Sequence, residues 1–473
     1  MGGSLIIKLS RFAHTFDLDD SVALYHSLRM KPVYLKRDTY QSLQEWLASS
    51  FCIDLDNAPE DIKDVAQLLR KCKILTISDD EDDKVLAFIR SRITRPAISV
   101  CYMILSEQCN LACKYCFLGN NDSSKIKHFD LKNMSEATAD KAIDFYLNQL
   151  KKSGLDFEHQ KPILIFYGGE PMINYPTLLH IASKLNELKK TEPILRNLEL
   201  TMVTNGLLLN EERIERLNEL HVGIGISIDG FSEEDNSMRV DKSGNPIFNQ
   251  LLEILSLLKK HKADFSLSVT LNEETIKHKD SVLKLIKEYN VKSFGFNIMM
   301  SSDTFIVPDS YNEAAAKFII DEFIELRKLG IYEDRMMRKL DAFTKAQVYY
   351  SDCAATAGGQ IVIAPNGQVG ICHGCLYNKK YFVTDVNDID FNCIENEAFI
   401  EWSQLTPINH EECLDCPALG ICGGGCPINA MYLKEGNTIH SLDTRFCTHS
   451  KMTLDFLIRD LYRIMCDRRN KDE

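Results

Sequence analysis

From Ile98 onward the chain repeats one unit six times: a short apolar run, then an amphipathic stretch. The runs are ISVCYMIL, PILIFYGG, LELTMVTNG, VGIGISIDG, DFSLSVTLN and FGFNIMM. Between them, segments such as SEATADKAIDFYLNQL and NQLLEILSLLKKH carry apolar residues at helical spacing. Strand–helix alternation of this kind predicts an α/β fold with a parallel sheet and helices outside it. Six units fit a partial (β/α)6 barrel of the TIM type better than a closed eight-stranded one. In that architecture chemistry sits on the loops that follow the strand C-terminal ends.

At 473 residues the chain is too long for one core. The segments flanking the repeat have a different rhythm. In residues 1–95, KPVYLKRDTYQSLQEWL reads as a strand leading into a helix, and DIKDVAQLLRKCKILTIS as a helix running into a strand. DDEDDK, Asp79 to Lys84, reads as the acidic tip of a β-turn. Small helices and strands in this order suggest a winged helix, although no basic recognition helix stands out. After about residue 330, QIVIAPNGQVGIC predicts a hairpin with Asn366-Gly367 as a two-residue turn. Cysteines then become dense, and a helix over 451–465 closes the chain. Beyond the strand–helix alternation of pattern, no stretch of sequence repeats and no low-complexity linker interrupts the chain. The expected division is 1–95, 96–330 and 331–473.

Charge narrows the partners. Fifty-five Lys and Arg against sixty-eight Asp and Glu give a net charge of -13. Such a surface argues against nucleic acid or an anionic membrane as partner. No apolar run approaches the ~18 residues that span a bilayer. The start, MGGSLIIKLSRFAHTF, lacks a signal-peptide layout, and position 6 is Ile where a myristoylation motif wants Ser or Thr. The expectation is a soluble cytoplasmic protein. In that setting sixteen cysteines point to metal ligation or catalysis rather than disulfides.

The first cysteine group follows the first strand. In SEQCNLACKYCFLGN, Cys109, Cys113 and Cys116 are spaced C-x3-C-x2-C. A structural zinc would want a fourth ligand, and the nearest histidine, His128, sits in a charged segment. Three thiolates can instead hold a [4Fe–4S] cube by three corners and leave one iron open. The spacing, with Tyr115 before the last cysteine, resembles the signature of radical S-adenosylmethionine (SAM) enzymes. The likeness continues along the strand ends. FYGGEP after the second strand supplies Gly168, Gly169, Glu170 and Pro171; VTNG after the third supplies Thr204 and Asn205. SIDG after the fourth supplies Ser227 and Asp229, and Arg239 lies ten residues on. The resemblance implies that these residues hold SAM, with the GGEP motif at its amino group and Arg239 at its carboxylate or ribose. It also implies the chemistry: one electron from the cluster splits SAM into methionine and a 5′-deoxyadenosyl radical, which removes a hydrogen atom from an unreactive C–H.

The second group runs Cys353, Cys372, Cys413, Cys416, Cys422, Cys426 and Cys447. Its spacing resembles the seven-cysteine SPASM pattern of one branch of these enzymes. That resemblance implies two auxiliary [4Fe–4S] clusters, hence three in all. Cys413, Cys416, Cys422 and Cys447 would hold the outer one; Cys353, Cys372 and Cys426 would hold the inner one, a ligand short. Either Cys375 fills that place or the iron is open. Of the remaining cysteines, Cys52, Cys72, Cys101 and Cys466 are expected to be core packing.

Enzymes of this branch act mostly on peptides and proteins. Where sulfatase-maturing relatives carry an aspartate after the second SPASM cysteine, this chain has His373, a candidate proton acceptor. Residues 1–95 loosely resemble the winged-helix element that captures a precursor's leader peptide on an edge strand. The expected function is therefore a peptide maturase that installs a thioether or carbon–carbon crosslink. Its expected partners are a leader-bearing precursor peptide and a flavodoxin- or ferredoxin-type electron donor. The alternative is a sulfatase maturase or another SPASM oxidoreductase.

Overall fold

The computed structural model describes residues 7–49, 55–93, 95–118, 132–291, 293–301, 305–433 and 438–472. The N-terminal part contains β1 (Lys8–Leu9), β2 (Ala13–Asp17), β3 (Ser21–His26), β4 (Val33–Lys36) and β5 (Leu75–Thr76). β2, β3 and β4 form an antiparallel sheet in that order, so β4 is an edge strand. As predicted, β4 runs directly into the helix Arg37–Leu47, and the helix Lys63–Lys71 precedes β5.

The acidic run is not a turn. Asp79, Asp80, Glu81 and Asp82 form the first turn of the helix Asp79–Arg90, where negative charge complements the positive end of the helix dipole. Glu81 takes Arg70 at 2.8 Å and Lys73 at 3.1 Å. The buried Asp82 accepts from Ser10 Oγ at 2.8 Å and Arg11 N–H at 2.9 Å. Charge density alone suggested a solvated tip, because the partners of Asp82 lie some seventy residues away in sequence.

The central sheet holds β6 (Val100–Ser106), β7 (Ile163–Gly168), β8 (Glu199–Thr204), β9 (Val222–Ile228), β10 (Phe265–Leu271) and β11 (Ser293–Ile298). They are parallel neighbours in sequence order, so the α/β class with a parallel sheet holds. Side chains alternate between two unlike faces. Met103, Leu164, Phe166, Met202, Ile224 and Val269 are buried beneath the helices. On the other face Tyr102, Tyr167, Thr201, Ser227, Ser268 and Thr270 are only partly covered. Parallel sheets normally bury both faces; here the half-open face mixes hydroxyl groups with Ile165 and Val203 and is rimmed by the motif loops.

The sheet does not stop at residue 330. β12 (Tyr332–Glu333) adds parallel to β11. β13 (Gln360–Ile363) pairs parallel with β6, and β14 (Gln368–Gly370) and β15 (Phe382–Asp385) follow antiparallel. The predicted β13–β14 hairpin forms, but its turn is longer than two residues. Ala364 N–H still bonds Gln368 O at 2.8 Å, leaving Pro365, Asn366 and Gly367 across the bend, with Gly367 at φ 86°. The closing helix runs Thr444–Asp472, beyond the predicted span at both ends. No helix among the described residues is long and apolar enough to cross a membrane.

A buried ion pair fastens this C-terminal segment to the sheet. Arg445 reaches Asp443 at 2.6 Å, and both side chains are 2% exposed. Arg445 also donates to the Ile298 carbonyl at 2.9 Å, at the end of β11. Asp443 accepts from Cys426 N–H at 3.0 Å and from Asn429 at 2.9 Å. Truncating one member of a buried pair strands the other's charge. Arg445→Ala is therefore expected to destabilise the fold by about 3–5 kcal/mol, read as a lowered thermal unfolding midpoint.

Candidate active site

The loop after β6 carries Cys109, Cys113 and Cys116, and main-chain contacts fix it on two sides. Ala112 N–H bonds Val240 O at 2.8 Å, and Lys114 N–H bonds Met238 O at 2.9 Å. On the other side Gly169 N–H bonds Ser106 O at 2.9 Å, and Glu170 N–H bonds Gln108 O at 2.8 Å. A Cβ at Gly168 would collide with the Ser106 carbonyl oxygen, and one at Gly169 with that of Gln108. Gly168 also has φ 146°. The glycine pair thus seats one loop on the other.

The three thiols share this pocket. Burial pushes the Cys109 thiol up to about 12, and the neighbouring Glu170, Cys113 and Cys116 add to the rise. Such a set resists ionising unless a cation joins it. Glu170 is buried and its carboxylate is fully engaged. It accepts from Met172 N–H at 3.0 Å, Thr204 Oγ1 at 2.7 Å and Asn205 N–H at 2.8 Å. Burial raises its pKa despite these bonds. Glu170 thereby clasps the GGEP loop to the turn after β8, with Pro171 buried behind it in the short helix Pro171–Asn174. Asn205 in turn donates to Asn110 Oδ1 at 2.7 Å, inside the cysteine loop.

The segment 238–240 that pins the loop also delivers Arg239. Tyr115 Oη donates to Asp229 at 2.7 Å, and Arg239 Nη1 donates to the Tyr115 oxygen at 2.7 Å. Arg239 and Asp229 are 6% and 0% exposed and lie 3.5 Å apart. Burial lifts the Asp229 carboxyl to about 6, against the pull of Arg239 and Tyr115. Asn236 and Thr275 hold the Asp229 main chain at 3.0 and 2.7 Å. Arg239 Nε is buried without a partner. A spare guanidinium donor beside three thiols and a glycine cradle suits a ligand that carries a carboxylate. Ser227 lies apart from this triad, on the half-open face beside Ser268.

The C-terminal cysteines assemble into two further groups. Burial raises the Cys372 thiol, followed by Cys426, Cys375 and Cys353. Cys375, left open by the spacing, lies near Cys372 and Cys426; burial and Cys426 raise it to about 12. In the outer set, burial and then Cys422, Cys447 and Cys416 lift Cys413 to about 12. No disulfide joins the described cysteines. Among the described residues no group of His, Cys, Asp or Glu closes tightly enough to hold a single metal ion. A four-iron cube takes one thiolate per corner and spreads them wider than one ion does. His128 lies outside the described residues.

His373 sits between the inner set and the first loop. Its ring stacks on Tyr102 at 4.5 Å and meets Tyr167 at 4.9 Å and Phe117 at 5.9 Å. Burial lowers its pKa to about 4, and its Nδ1 has no partner. Glu107 ties the two regions together, accepting from Lys379 Nζ at 3.2 Å and, through its carbonyl, from Tyr377 Oη at 2.8 Å. Of the leftover cysteines, Cys101 is core as expected and Cys52 lies outside the described residues. Cys72 packs on the N-terminal core, but it and Cys466 also line a surface groove, which corrects their assignment to the interior. Sequence reasoning missed Lys339, which is wholly buried beside the outer set; an internal lysine on an amphipathic helix leaves no signal in spacing.

Arg239→Ala is expected to weaken SAM binding at least tenfold, about 1.4 kcal/mol, and to leave the iron content unchanged. Calorimetric titration and an iron assay check both.

Residues 103–286 match the model of the Radical SAM superfamily. The chain is 24% identical to the radical SAM cyclopropyl synthase TigE of Paramaledivibacter caminithermalis over 479 aligned positions, covering 96% of each chain. It is 26% identical to a cysteine-type anaerobic sulfatase-maturating enzyme of Clostridium perfringens, covering 70% of this chain and 89% of the relative. The fold also resembles Streptococcus suis SuiB bound to S-adenosylmethionine, with a TM-score of 0.51, 15% identity and coverage of 94% and 99%. Residues 103–286, which contain the cysteine loop, the glycine cradle and the Arg239 triad, are thus a Radical SAM domain, and that family implies a [4Fe–4S] cluster and SAM.

Proposed function

We propose that this enzyme is a maturase of a ribosomally made precursor peptide. The reading takes residues 1–95 as a winged-helix leader-binding unit, 96–330 as a partial (β/α)6 barrel and 331–473 as a SPASM domain. One cluster would sit on Cys109, Cys113 and Cys116. An inner auxiliary cluster would take Cys353, Cys372, Cys375 and Cys426, and an outer one Cys413, Cys416, Cys422 and Cys447. With Cys375 included, the inner set has no open corner for a substrate thiolate, which favours electron transfer as its task. When bound, the first cluster and SAM supply one-electron cleavage and hydrogen-atom removal. The chain's own residues orient SAM through Asp229, Tyr115 and Arg239, and present the half-open sheet face to the substrate. His373 is the candidate proton acceptor; burial keeps it neutral but, by lowering its pKa to about 4, makes it a weak base.

The observation that carries the peptide reading is a groove of about 1110 Å³ along the free edge of β4. Tyr34 and Lys36 of β4 line it, facing Tyr462 and Met465 of the C-terminal helix. An edge strand has unpaired main-chain groups ready to pair with an extended peptide. Tyr462 Oη holds that helix to Ser21 at 2.6 Å and Asp20 at 2.8 Å. The sulfatase-maturating relative leaves 30% of this chain outside its alignment. TigE aligns over 96%. SuiB has also been solved bound to its precursor peptide SuiA. A flavodoxin- or ferredoxin-type protein would deliver electrons.

Likeness to TigE along the whole chain favours a second reading: cyclopropane closure within one residue in place of a bond between two. Both products lose two hydrogens. Co-expression with a short leader-bearing precursor peptide is expected to give a product lighter by about two daltons. Tandem fragmentation separates the readings, since a crosslink suppresses cleavage between the joined residues and a ring in one side chain does not. A loss of about eighteen daltons, as when cysteine becomes formylglycine, would favour a sulfatase-type maturase.

A further inference from the structure

Lys339, on the helix Asp334–Lys345, is 0% exposed. Its Nζ donates to the carbonyls of Cys422 at 2.9 Å and Ile421 at 3.3 Å, and to Ser450 Oγ at 3.1 Å. Three oxygens around one nitrogen match an ammonium, which has three donors and no acceptor. The rings of Tyr349 and Phe446 each lie 5.9 Å from it. A buried charge of this kind needs an opposite charge nearby. Among the described residues no carboxylate comes within ion-pair distance of Lys339. Asp352 is already taken by Arg335 at 3.1 Å and approached by Arg338 at 3.7 Å. Arg338 also pairs with the half-exposed Asp334 at 2.9 Å, so Asp352 serves the two arginines and neither carboxylate pairs with Lys339. Beside Lys339 stand the thiols of the outer set: Cys422 supplies one of the lysine's carbonyls, and Ser450 lies one helical turn beyond Cys447.

We propose that Lys339 is the built-in counter-charge of an anionic iron–sulfur cluster on Cys413, Cys416, Cys422 and Cys447, and that it sets that cluster's reduction potential. The inference rests on the three-cluster reading. Four thiolates give such a cluster net negative charge, and reduction adds another electron. A fixed cation in a low-dielectric surround stabilises the reduced form more than the oxidised one and so raises the potential. A merely structural clamp on the turn at Ile421 and Cys422 would affect stability and leave the potential alone.

The test is a potentiometric titration of the reconstituted full chain, followed by electron paramagnetic resonance. Cys416→Ala identifies the outer signal by removing it. In Lys339→Met the outer cluster's reduced-to-oxidised ratio at a fixed potential is expected to fall at least tenfold, about 59 mV for one electron. In Lys339→Arg it stays within twofold, and the N-terminal cluster is unmoved in both variants. If Lys339→Met loses the outer cluster, the potential is read in Lys339→Gln instead. An outer potential that ignores Lys339→Met overturns the proposal. If that variant does not fold, Lys339→Gln takes its place under the same criteria. A wild-type chain with no cluster removable by Cys416→Ala would bring down the three-cluster reading, and this inference with it. A cluster present but indifferent to Lys339 would defeat the inference alone.

Discussion

Two loops touch backbone to backbone at the top of the sheet, and the site depends on that contact. The turn after β7 approaches the cysteine loop so closely that neither Gly168 nor Gly169 has room for a Cβ. Two main-chain hydrogen bonds hold the approach. From the other side, the segment 238–240 bonds the same loop and brings Arg239 to Tyr115 and Asp229. The cysteine positions are thus set by main-chain bonds to neighbouring loops and do not depend on a metal alone.

Buried charge is the second organising element. Glu170, Asp229 with Arg239, Asp443 with Arg445, and Lys339 are all nearly or fully removed from solvent. Each is costly unless satisfied. Glu170, Asp229 and the Asp443–Arg445 pair are met within the protein through short contacts. Lys339 has hydrogen bonds but no opposite charge, and Arg239 keeps one unsatisfied N–H. Those two exceptions lie where negatively charged groups are expected to bind, beside the outer cysteines and in the SAM cradle.

The sheet and its loops were legible in the sequence because strand periodicity and motif spacing are local. All six strands fall where the apolar runs put them, and the motif residues after β6, β7 and β8 converge with Asp229 and Arg239. Long-range partnership was not legible. The run Asp79 to Lys84 looked like a turn because Ser10 and Arg11, which bury Asp82, are far away in the chain. Cys375 was ambiguous by spacing and comes near Cys372 and Cys426 only through the folding of β13 to β15. The half-open face emerges once Ser227 and Ser268 are seen side by side in register.

The most direct test of the whole account asks whether SAM binds the iron that Cys109, Cys113 and Cys116 leave free. The measurement is electron–nuclear double resonance on the anaerobically reduced protein with SAM isotopically labelled in its methionine carboxylate and amino groups. Coupling of those labels to the cluster spin is the predicted result. An intact cluster in that loop with a spectrum unchanged by SAM would contradict it.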